Sequence, residues 1–136
     1  MKTIHFKTLI SLCAALAVTT LAIAKDGDKQ FLDAKAAKGL ISDRTWQANK
    51  IAASGYNYWS WKSDGSVCLR LESKTGKCDD TGHWKLEGDR FCYEVTWWSK
   101  SYGLNSSCFR IQDEGKGHYR GIKDNGLDGL LFSILK

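Results

Sequence analysis

Cysteines, histidines and carboxylate pairs are the side chains of this chain whose types could do chemistry, and their spacing sets how much. Cys68, Cys78, Cys92 and Cys108 lack the Cys-x2–4-Cys knuckle with which one loop supplies two tetrahedral ligands to zinc. They suit structural disulfides instead, in an oxidising compartment. His83 stands near Asp79 and Asp80, a grouping that could hold a metal or move a proton. Its strand pattern, however, puts it on a wet face, where a solvated imidazole is the simpler reading; His118 fares no better. Ser99, Ser101, Ser106 and Ser107 lie in polar context without the Gly-x-Ser-x-Gly elbow of a nucleophilic serine. The pairs Asp79-Asp80 and Asp113-Glu114 fall at turns, which loop solvation explains better than glycoside chemistry. No catalytic constellation, metal site or cofactor is therefore expected.

The aromatic residues are the better candidates for recognition. Tyr56-Asn57-Tyr58-Trp59-Ser60-Trp61 puts aromatics on both faces of one strand, and Trp97-Trp98 does the same at the end of another. A sheet wet on one side fills its core from one face only. The outer set, Tyr56, Tyr58 and Trp98, must pack under another element or anchor a partner, a use for which Tyr and Trp are favoured.

Positioning these residues starts with an export signal. Lys2 and Lys7 form a basic n-region, residues 9–23 are almost wholly apolar, and Ala22-Ile23-Ala24 presents small residues at the positions a signal peptidase reads. Cleavage before Lys25 is expected, with Cys13 leaving in the 1–24 signal. A lipoprotein site at Cys13 is disfavoured by Leu12, which stands where a small residue is wanted. The run is too short to anchor as a transmembrane helix, so no membrane span is expected after cleavage.

Residues 25–136 then make one domain. Removing Lys2 and Lys7 takes the basic count from 20 to 18 against 15 acids. The signs are interspersed without a basic stripe, which excludes a nucleic-acid footprint. Six tryptophans, five tyrosines and no proline, with glycine-rich turns, describe a β-rich fold. One helix is expected near the start, capped by Asp28, with Phe31, Ala34, Ala37 and Ile41 on one face and Gly39 near its end. Eight strands follow at 44–50, 56–62, 66–72, 82–87, 90–98, 106–113, 117–123 and 129–135. Asp64-Gly65, Gly88-Asp89, Gly115-Lys116-Gly117 and Asn125-Gly126 supply the turn chemistry. The expected fold is mainly β: an antiparallel eight-stranded meander forming a small barrel or curled sheet, since closure removes edges. The helix is expected against the sheet or plugging an open end. The last strand is apolar on both faces and is a candidate for cover by the helix.

Alternation of apolar and polar residues sets the inner face. Val67, Leu69 and Leu71 point one way, as do Trp84 and Leu86, then Phe91, Tyr93, Val95 and Trp97, then Phe109 and Ile111. Putting Cys92 opposite Cys108 aligns Phe91 with Phe109 and keeps both apolar sets on one side. A slip of one residue would turn Phe109 into water. That register predicts a Cys92–Cys108 disulfide and leaves Cys68 with Cys78. Side chains as large as Trp84, Phe91, Tyr93, Val95, Trp97 and Phe109 should fill a barrel of this size rather than line a cavity.

The ordered series Thr45-Trp46, Asp64-Gly65, Gly82-His83-Trp84, Gly88-Asp89-Arg90-Phe91-Cys92-Tyr93 and Cys108 resembles a family of small exported proteobacterial proteins of unknown function. That family has a lipocalin-like curled sheet. The likeness spans most of residues 29–135. It departs from the pattern at Arg44, where a glycine is usual, and at Cys68 and Cys78, which look like additions. The resemblance implies fold and compartment and carries over no activity. Three classes of function follow. The first is a non-enzymatic binding protein of the cell envelope, periplasmic or secreted, engaging another protein as an inhibitor or immunity-like partner, or else a small apolar ligand. The second is a hydrolase of envelope polymers. The third is a structural component.

Overall fold

From Arg44 onward apolar residues recur at every second position, and turn-forming residues interrupt them before any run exceeds a strand's length. The computed structural model describes residues 30–50 and 54–136. The expected export signal, Cys13, the cleavage site after Ala24 and Asp28 lie outside the described residues. Helix α1 (Ala34–Ile41) precedes strands β1 (Arg44–Asn49), β2 (Tyr56–Trp61), β3 (Ser66–Arg70), β4 (Asp80–Glu87), β5 (Arg90–Val95), β6 (Ser106–Gly115), β7 (His118–Ile122) and β8 (Asp128–Ile134). Each strand pairs antiparallel with the next, and β8 returns to β1, closing the barrel.

The barrel interior is aromatic. Trp46, Trp59, Trp61, Phe91, Phe109 and Phe132 are fully buried. Trp46 stacks on Phe132 with ring centroids 3.8 Å apart, and Trp61 meets Phe91 edge-on at 4.8 Å. Such pairs add to the stabilisation from burial itself. Two glycines make room where the wall crowds. A Cβ on Gly121 would sit 2.5 Å from the Phe109 ring, and one on Gly82 would sit 1.9 Å from the Glu94 carbonyl oxygen.

The helix starts later than the periodicity suggested. Its cap is Asp33, whose side chain accepts from the Ala36 N–H, not Asp28. Phe31 lies outside it, bridging to Gln112 of β6. Ala37 and Ile41 are buried within the barrel core, and the indole of Trp46 donates to the Leu40 carbonyl at 2.8 Å. The helix therefore plugs the end from which β1 rises. It does not cover β8, whose outward Leu131 stays exposed.

In an up-and-down barrel alternate connections lie at opposite ends. At the helix end the hairpins at 88–89 and 116–117 are tight, whereas at the other end residues 71–79 and 96–105 form long loops. This loop end is where the chain has length to spare for recognition.

Candidate functional site

Both disulfides tie neighbouring segments of the barrel wall together. Cys92 pairs in register with Cys108, and Phe91 with Phe109, as the core pattern required. Cys68 is joined to Cys78, tying the 71–79 loop back to β3. Two such bonds place the folded protein in an oxidising, non-cytoplasmic compartment. Among the described residues no helix is long and apolar enough to cross a membrane.

One carboxylate organises the loop end. Asp80 is on the inward side of β4, in phase with Gly82, Trp84 and Leu86, and is only 4% exposed. It is not the solvated turn residue expected. Its Oδ1 accepts from the N–H groups of Thr81 (2.8 Å) and Thr96 (3.2 Å), and Oδ2 from those of Trp97 (2.9 Å) and Trp98 (2.7 Å). Burial alone would raise its pKa. The four backbone N–H bonds, led by that of Trp98, together outweigh burial and hold it below the usual carboxylate range. The tyrosine of β5 secures the far side of the same loop: Tyr93 Oη donates to the Leu104 carbonyl at 3.1 Å, and burial pushes the phenol pKa up.

This latch reverses the expected facing of two tryptophans. The strand stops at Val95: the Thr96 N–H is shared between the Thr81 carbonyl and Asp80, each at 3.2 Å, and those of Trp97 and Trp98 turn to Asp80 instead of continuing a ladder. Trp98 folds inward and meets Trp59 edge-on at 5.1 Å, capping the barrel opposite the helix. Trp97, expected inside, is 52% exposed. Tyr58 does share the outer face with Tyr56 and Ser60, but between Gln47 and Arg70 it is buried. Of the outer trio expected from sequence, only Tyr56 is open to solvent. The exposed large apolar side chains include Tyr56, Trp97, Tyr102 and Leu127, all at the loop end. Tyr102, on the 3-10 turn Lys100–Tyr102, is 81% exposed.

The outer wall below these loops is grooved. Strand register sets Ser66, His83 and Glu94 side by side across β3, β4 and β5, a row with the residue types of a nucleophile, base and acid. The geometry does not make it one. The Ser66 hydroxyl donates to Asp64 at 2.7 Å, away from His83, and His83 is exposed as expected. Among the described residues no group of three or more His, Cys, Asp or Glu could hold a metal.

No family model, curated protein or solved structure matches this chain. The fold and its exposed chemistry therefore carry the functional argument. Asp80 and Trp97 were the residues sequence reasoning missed. Extending the β4 alternation back from Gly82 by one step would have set a carboxylate inside the barrel, where it needs several donors.

Proposed function

We propose that this is an exported, disulfide-braced, non-enzymatic binding protein of the cell envelope, periplasmic or secreted, which engages another protein in the manner of an inhibitor or immunity partner. The observation that carries this reading is the gathering of most of the exposed large apolar side chains, Tyr56, Tyr102 and Leu127 among them, at the loop end of a barrel whose other end is plugged, with Leu131 apart on the β8 wall. Exposed tyrosines on anchored loops cost little ordering entropy when a partner covers them. The filled aromatic interior supports recognition on the surface over carriage of an apolar ligand within.

Photo-crosslinking in the producing cell tests the proposal. A photoreactive residue at Tyr102 or Leu127 should give a discrete protein adduct. The same residue at Lys116, in the hairpin at the helix end, should give none. Identical adducts at all three positions, or none at any, would overturn it. Intact mass of the exported protein checks cleavage after Ala24.

A further inference from the structure

The groove on the outer face of β3, β4 and β5 has a volume of about 840 Å3. Ser66, His83 and Glu94 cross its floor, Lys62 lies toward the helix end, and Lys100 and Asn105 toward the loops. Trp97 flanks it. The Trp97 indole N–H donates to the Asp79 carbonyl at 3.1 Å, between the groove residues Cys78 and Thr81, while about half of the residue stays in solvent.

Among the described residues no side-chain hydrogen bond or close ion pair engages the His83 imidazole, the Glu94 carboxylate or the ammonium groups of Lys62 and Lys100, although the Asp64 carboxylate lies within electrostatic reach of Lys62 and His83. Asn105 turns its amide N–H to the Val95 carbonyl and keeps its side-chain oxygen free. An apolar ligand or the apolar face of a helix would bury these groups without partners, which is costly. A polyanion would meet Glu94 midway along the floor, with only two lysines to hold it. Sugar hydroxyls both donate and accept, so they satisfy imidazole, carboxylate, ammonium and amide together. The C–H face of a pyranose packs on an exposed indole.

We propose that this groove binds a saccharide chain, with Trp97 as stacking platform and His83, Glu94, Lys100 and Asn105 as hydrogen-bond partners. The site goes beyond the protein partner inferred above and does not depend on it, because that face uses Tyr56, Tyr102 and Leu127.

Titration of the 15N-labelled protein followed by NMR tests the site, with cellohexaose and hexa-N-acetylchitohexaose as probes. At least one should give saturable shifts at the Trp97 indole N–H and the amides of His83 and Glu94. Trp97→Ala should weaken that binding about tenfold. Glu94→Gln, on an exposed side chain, should weaken it in the same direction without touching the core. Tyr102→Ala should leave it unchanged. Affinity rising from monosaccharide to hexasaccharide, with retention on the insoluble polymer, identifies a polymer chain as the source. Equal affinity for the monosaccharide identifies a free sugar. The proposal fails if no probe gives saturable shifts, if the shifts centre on Tyr102 and Leu127, or if Trp97→Ala and Glu94→Gln both bind as the parent does.

Discussion

Asp80 is held by four backbone N–H groups, three of them from one loop, so a single carboxylate gathers residues 96–98, with Thr96 and Trp97 also tied to the Thr81 and Asp79 carbonyls. Asp80→Asn turns an NH2 group toward donors and should cost about 3 kcal/mol in chemical denaturation. Because the folded pKa lies below the ordinary 3.8, this stabilisation is complete above that value and is lost as pH falls through the folded pKa. The stability gap between the parent and Asp80→Asn should therefore close on acidification below about pH 4; a gap constant from pH 7 to pH 2 would refute the latch. The tryptophans allow a second comparison. Trp46 donates to Leu40, whereas the equally buried Trp61 indole N–H has no partner among the described residues. Replacement by phenylalanine removes similar volume from each. Trp46→Phe should thus be the more destabilising by about 1 kcal/mol, the worth of one net hydrogen bond, measured as a difference in denaturation midpoints.

At the scale of elements, strand positions and both disulfides were legible because period-two alternation and the cysteine register constrain each other. Phe91 opposite Phe109 leaves Cys92 no other directly opposed residue than Cys108. What could not be read was where β5 ends. Trp97 and Trp98 continue the aromatic pattern, and only the long-range bonds to Asp80, seventeen and eighteen residues away, break the alternation. The helix cap shifted for a similar reason. Asp28 and Asp33 are equivalent by residue type, and the docking of Leu32 N–H onto the Ile111 carbonyl fixes the later start. Replacing Cys92 and Cys108 together by alanine should cost about 3 kcal/mol through the freed loop, read as a fall in denaturation midpoint with binding surfaces intact. Gly121→Ala should cost at least as much, about 3 kcal/mol, since its Cβ meets an aromatic ring that the packed core cannot displace.

For the whole molecule, closure was foreseeable as one of two outcomes, and pairing of β8 with β1 decides it. A closed barrel has no strand edge to donate, so recognition must use side chains on loops or on the outer wall. Its two ends are filled differently: Ala37 and Ile41 of the helix at one, Trp98 at the other. The first belongs to the core, while the second is half-buried against it and is carried on a loop that also exposes Tyr102. The same loop thus joins stability to display, with Trp98 facing inward and Tyr102 facing water. The two roles separate by mutation. Trp98→Ala removes a ring that packs on Trp59 and should destabilise the fold by about 3 kcal/mol. Tyr102→Ala with Leu127→Ala removes two exposed side chains and should change stability by less than about 0.5 kcal/mol. If the loop end is the partner face, this second, fully folded variant loses the crosslinked adduct when the photoreactive residue is placed at neighbouring Ser101. An adduct undiminished in that variant, with the parent's melting temperature, would move the partner face elsewhere on the barrel.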